Sequence, residues 1–124
     1  MNSKKILLSV NPEHVEKILN GTKKYEYRTV AAKEDVNSII IYVTTPIKKV
    51  VAEVEIIEVL ELEPDALWKC TEEYSGITKD FYDNYFRDRK TAFAYKLGRV
   101  NIYSKPLELS SFGIKHAPQS FVYL

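Results

Sequence analysis

The segment KKVVAEVEIIEVLEL (48–62) sets Val50, Ala52, Val54 and Ile56 on alternate positions, with Glu53 and Glu55 between them. Successive side chains of an extended chain point to opposite faces, so this period of two presses one apolar face against a core and argues against a helix there. The stretch is longer than an ordinary strand of about five or six residues, so a bend or bulge is expected inside it, as barrels need. A second long stretch, TAFAYKLGRVNIYSKPLEL (91–109), alternates in the same way and offers Gly98 as a bulge. Shorter strands are expected at KKILLSV (4–10), KKYEYRTV (23–30), NSIIIYVTT (37–45, ended by Pro46) and QSFVYL (119–124), with AAKEDV (31–36) as a polar loop.

Three segments read as helical. NPEHVEKILNG (11–21) carries Asn11 as N-cap, Pro12 at the first helical position and Gly21 as the stop, with Val15, Ile18 and Leu19 as its apolar stripe. EPDALWKCTEEY (63–74) places Leu67 and Trp68 on one side. TKDFYDNYFRDR (78–89) is capped by Thr78 and spaces Phe81, Tyr82, Tyr85 and Phe86 at helical intervals, a stripe expected to be core. Five or six strands, an early helix and a helical insert before the last strands imply an α+β domain built around a small β-barrel with flanking helices. Small barrels fill their interiors with side chains, so a site is expected outside, in a cleft between barrel and helices.

With 124 residues, 45% apolar and 28% charged, one domain spanning residues 1–124 is expected, with a single core and no disorder signature. The longest apolar run, SIIIYV, is far too short to span a bilayer, and no secretory leader is visible, so a cytoplasmic location without membrane contact is expected. The lone Cys70 is expected to be a small packing residue rather than a nucleophile. A net charge of +1 argues against indiscriminate coating of nucleic acid. The charges are unevenly spread: ten acidic residues against Lys69 and Lys79 between Val51 and Asp83, then six basic residues against Asp88 from Arg87 to Lys105. That pattern gives a polar axis if the segments stay apart in space, and it is either a solvated acidic face beside a solvated basic one or a dedicated binding stripe.

NGTKKYEYRTV (20–30) carries the most chemistry. Alternation would direct Tyr25, Tyr27 and Val30 to the core and gather Lys24, Glu26 and Arg28 on the other face, with Lys23 beside them. Two readings stand. One is an exposed ladder of ion pairs worth about 0–1 kcal/mol each; the other is a binding or catalytic group held on a rigid strand. Thr44 and Thr45 at a strand end have hydroxyls within reach of a ligand. His14 and His116 lack partners at metal-ligand spacing, so no metal site is expected. Glycine-rich phosphate loops and nucleophile elbows are missing.

Taken in order, Gly21, Lys23, Glu26 and Arg28, then Pro46, then Phe112, Gly113, Ile114, Pro118, Gln119, Ser120 and Phe121 resemble the ASCH family, the domains homologous to the activating signal cointegrator. The resemblance covers nearly the whole chain from Ile6. It implies a fold like that of pseudouridine synthase and archaeosine transglycosylase (PUA) domains, with a cleft between barrel and first helix walled by residues 23 to 28. It further implies an RNA or nucleic-acid binding module for a short single-stranded or modified RNA element, contacted by Lys23, Lys24, Glu26, Arg28, Thr44, Thr45, Gln119 and Ser120. The expected ligand is RNA or nucleotide-like, with no cofactor. Tyr42, Trp68 and Tyr95 are candidate stacking platforms that could equally be core.

The wider family also includes amidohydrolases of acylated cytidine nucleosides, which pair a lysine with a threonine nucleophile. Lys23 matches the lysine, but Glu26 stands where that threonine would be, and a carboxylate cannot act as a hydroxyl nucleophile. Thr22 or Thr44 could substitute only within about 3 Å of Lys23. An enzyme, whether a hydrolase of modified nucleosides or a nuclease, would use Lys23 and Glu26 as its acid and base. A third expectation is a protein partner on the acidic helical insert.

Overall fold

A computed structural model describes residues 4–33 and 35–124. Met1 to Ser3 of the expected domain and Glu34 of the expected polar loop lie outside the described residues. Six strands form one sheet: β1 (Lys5–Val10), β2 (Tyr25–Arg28), β3 (Ser38–Val43), β4 (Lys49–Leu62), β5 (Ala92–Leu107) and β6 (Phe121–Tyr123). Their spatial order is β2-β5-β4-β3-β1-β6. β1 and β3 run parallel, joined through helix α1 (Pro12–Leu19) and β2, and the other neighbours are antiparallel. The sheet curls into a half-barrel, giving the α+β, PUA-like architecture.

Curling follows from irregular pairing in the two long strands. Ile41 faces Ala52 but Tyr42 faces Val50, so Val51 is an extra residue in β4. Between β4 and β5 the register slips twice more around Gly98: Val54 faces Val100, Ile56 faces Leu97 and Glu58 faces Lys96. A Cβ at Gly98 would lie 2.3 Å from Glu55 Oε1, so a side chain there would displace that carboxylate from the hydrogen bond it accepts from Arg99 N. The last pairing also bears on the charge pattern. Acidic β4 and basic β5 are neighbours, so Glu53, Glu55, Glu58 and Glu61 lie beside the strand of Lys96, Arg99 and Lys105, while the other acidic residues of the segment belong to the helical insert.

Both faces of the sheet are covered, which explains why β1 and β3 read as unbroken apolar runs. Ile6, Leu8 and Val10 join Ile39, Ile41 and Val43 against Val15 and Ile18 of α1. On the opposite face Leu7, Ile40, Tyr42 and Val50 pack under the chain after β5, including Leu109, Phe112 and Ile114. A third cluster unites Tyr27, Ala92 and Ala94 with the insert, which comprises α2 (Pro64–Thr71), a 3-10 turn and α3 (Lys79–Tyr85). Leu67 and Tyr82 are completely buried there, and each Leu-sized side chain so buried contributes about 1.5–3 kcal/mol.

Several local expectations are corrected. Cys70 is exposed, because Leu67 and Thr71 take the inward face of α2. β2 ends at Arg28, leaving Val30 exposed rather than in the core. Asn11 starts α1 without a side-chain capping bond; its Oδ1 accepts from Thr44 Oγ1 instead (3.2 Å). The aromatic stripe of α3 is divided: Tyr82 and Phe86 are core, whereas Phe81 and Tyr85 are exposed. No described helix is long and apolar enough to cross a membrane.

Candidate functional site

The site begins where α1 stops. Gly21 adopts φ +85°, a left-handed conformation that suits glycine, and both Thr22 N and Lys23 N donate to Lys17 O, turning the chain back sharply. Because β2 starts only at Tyr25, Lys23 and Lys24 escape strand alternation. Lys24 swings outward, its Nζ 4.4 Å from the centre of the Tyr74 ring. Lys23 turns inward and is 3% exposed. Its Nζ donates to the Ser75 carbonyl at 2.7 Å and lies 4.9 Å from the centre of the Tyr27 ring.

The loop beyond the 3-10 turn closes over the Lys23 stem. At Gly76, with φ +69°, a Cβ would sit 2.6 Å from Lys23 Cβ, so only glycine permits that approach. Burial pulls the Lys23 amine down to about 8, against the opposing pull of the Glu26 carboxylate. Such an amine exchanges its proton near neutral pH.

Glu26 and Arg28 are two residues apart on β2 and therefore share a face. Arg28 places Nη2 and Nε 2.8 and 3.2 Å from Glu26 Oε2, and Nη2 also donates to Ser9 O at 2.8 Å. The Arg28 side chain is 14% exposed and that of Glu26 6%. An exposed ladder is therefore excluded. A pair taken this far out of water costs desolvation, and removing either partner would strand the other charge.

These three groups line one cavity of about 680 Å³. The ends of β1 and α1 contribute Ser9, Asn11 and His14; the turn after β3 contributes Thr44, Thr45 and Lys48. Helix α3 supplies Phe81 and Tyr85, and the segment before β6 supplies Lys115, His116 and Gln119. That segment is anchored by Ser9, whose Oγ donates to Pro118 O and whose N donates to Ser120 O. Lys23, Arg28, Lys48 and Lys115 oppose the single carboxylate of Glu26, so the lining favours an anion.

Of the residues expected at a site, Lys23, Glu26, Arg28, Thr44, Thr45 and Gln119 line the cavity, whereas Lys24 and Ser120 do not. Neither threonine is placed as a nucleophile. Thr22 Oγ1 donates to Asn20 Oδ1 outside the cavity, Thr44 Oγ1 donates to Asn11, and Lys23 Nζ bonds to neither. Tyr42 is buried on the cavity wall, but Trp68 packs on Tyr82 and the Tyr95 hydroxyl accepts from Ala32 N.

His14 and His116, remote in sequence, meet on the same lining. Among the described residues no three His, Cys, Asp or Glu side chains cluster closely enough to hold a metal ion. His14 Nδ1 is buried without a hydrogen-bond partner, and burial holds the imidazole below its usual range. Sequence reading missed His14, Lys48, Phe81, Tyr85 and Lys115. Only the i, i+4 spacing of Phe81 and Tyr85 hinted at a shared face.

The ASCH domain family model matches residues 8–101. A crystal structure of ASCH from Zymomonas mobilis superposes with a TM-score of 0.87 over 97% of this chain and 87% of that one, at 23% identity. Two Ureaplasma parvum proteins align over 96% of this chain: ATP synthase subunit alpha at 29% identity and large ribosomal subunit protein uL22 at 28%. The chain spans only 15% and 39% of their respective lengths.

Proposed function

This chain belongs to the ASCH domain family, and from that premise we propose that it is an RNA-binding module that takes a short single-stranded or modified RNA element into the cavity. One observation carries the reading: Lys23, Glu26 and Arg28 converge on a hollow of nucleotide size instead of projecting into bulk water. The Arg28 fork, already ordered by Glu26 and Ser9, suits a phosphate or a base edge. Glu26 accepts from an exocyclic amine, and the Thr44, Thr45 and Gln119 side chains add neutral polar contacts. The modest excess of cations implies micromolar rather than tight binding.

The test is a fluorescence titration with a labelled single-stranded RNA pool at about 50 and about 200 mM salt. Binding at the lower salt that weakens at the higher, and weakens again in Lys23→Met, is expected. No binding at low salt, or binding indifferent to Lys23→Met, would overturn the reading.

A second reading rests on the Lys23 amine, whose buried position and value of about 8 suit proton transfer at neutral pH. In that case Lys23 and Glu26 would serve a hydrolase of modified nucleosides or a nuclease. Incubation with acylated nucleosides and with RNA separates the two readings: product formation lost in Lys23→Met supports an enzyme, and unchanged substrates leave the binding module.

A further inference from the structure

Helix α3 and its C-cap residue Phe86 carry four aromatic side chains, and the core uses two of them. Tyr82 and Phe86 are 0% and 3% exposed, whereas Phe81 and Tyr85 are 45% and 37% exposed although both line the cavity. Their rings are nearly parallel, at 11° with centroids 6.4 Å apart, which makes an offset shelf rather than a closed stack. The shelf is held from three sides. His14 meets Phe81 edge-on at 5.6 Å, Phe86 braces Tyr85 at 4.8 Å, and the Thr78 cap fixes Phe81 N. Both rings keep part of their surface open to the cavity, and flat aromatic faces held rigid and left partly open are what a nucleobase stacks on.

The cavity has a chemically different end. Tyr42, Lys48, Leu109 and Lys115 also line a neighbouring depression, to which α3 contributes nothing, so the two hollows join away from the shelf. The depression's carboxylate, Glu108, is engaged by Lys49. Among the described residues no ion pair engages Lys48 or Lys115, and Glu26 is held by Arg28. The free charge at that end is therefore positive.

We propose that Phe81 and Tyr85 form a shelf on which an unpaired base of a single-stranded RNA stacks, while Lys48 and Lys115 hold the neighbouring phosphate where the cavity runs into the second depression. This deepens the RNA-binding reading and rests on it. The minimal ligand is then a base with a linked phosphate chain rather than a free nucleoside, and selectivity among bases follows stacking strength.

The test compares a labelled oligoadenylate with an abasic oligonucleotide of the same length and charge, titrated into the full chain by fluorescence anisotropy. Phe81→Leu and Tyr85→Leu keep apolar bulk but remove the π face. Each is expected to weaken oligoadenylate about tenfold and leave the abasic strand unchanged. The double change Lys48→Ala with Lys115→Ala is expected to weaken both strands alike and, for the one phosphate they share, to flatten the slope of log affinity against log salt by about 0.7. Phe81→Trp gives a second readout, since a base on the shelf quenches the new indole. Ring variants that leave oligoadenylate binding intact, or that weaken both strands equally, would overturn the shelf while leaving RNA binding standing. If the unaltered protein binds neither strand at low salt, the RNA-binding reading itself falls.

Discussion

Replacing Lys23 by methionine should remove the rise in stability that this amine contributes at alkaline pH. In the folded protein the amine is held at about 8, against 10.5 in an unfolded chain, mainly because it is buried. Between those values the unfolded state binds more protons than the folded one, so stability increases with pH through that window. At about 1.36 kcal/mol per unit, the displacement amounts to about 3 kcal/mol in full, of which about 2 kcal/mol falls between pH 7.5 and 10. Other shifted groups are common to both proteins and largely cancel in their difference. His14, held low by burial, completes its effect below the window, and Tyr27, Tyr82, Tyr85, Tyr95 and Tyr103, all pushed up by burial, begin to lower the stability of both proteins as pH nears 10, where an unfolded tyrosine ionises. Urea unfolding of both proteins across pH 7.5 to 10 is the assay. The difference in unfolding free energy, natural protein minus Lys23→Met, should climb by about 2 kcal/mol. A flat difference would mean that the amine keeps ordinary solvation, and the argument for a buried cation at the site would fail.

Glu26→Gln leaves the Arg28 guanidinium nearly buried without its counterion and should destabilise the fold by about 3 kcal/mol in chemical denaturation. Gly76→Ala forces a Cβ to 2.6 Å from the Lys23 stem at a φ of +69°, so it should lower the melting temperature and RNA affinity together. Tyr27→Phe removes the hydroxyl that donates to Thr71 Oγ1 at 2.7 Å, a loss of about 1 kcal/mol visible in the same denaturation assay. RNA affinity should fall as pH rises through about 8, where the Lys23 amine loses its charge, and Lys23→Met should abolish that dependence in an anisotropy titration.

What could be seen from sequence was whatever depends on local periodicity. The strand of residues 49–62 and the bulge at Gly98 follow from alternation and from a glycine where the register must slip. The inward turn of Lys23 was not legible in alternation. It depends on the strand beginning two residues later and on a distant Gly76 that lets another loop close over the stem. Phe81 and Tyr85 looked like core for a similar reason: helical spacing shows which residues share a side of α3, but not that the curled sheet leaves a hollow beside two of them. Lys48 and Lys115 belong to loops whose meeting is set by the path of the whole chain, through bonds such as Ser9 N to Ser120 O.

Backbone amide chemical-shift mapping with a short single-stranded RNA tests the central claim most directly. Perturbations should cluster at residues 23–28, 44–48, 81–85 and 115–119, the segments that surround the hollow. An unchanged spectrum at low salt, or shifts confined to the outer face of the acidic insert, would contradict it.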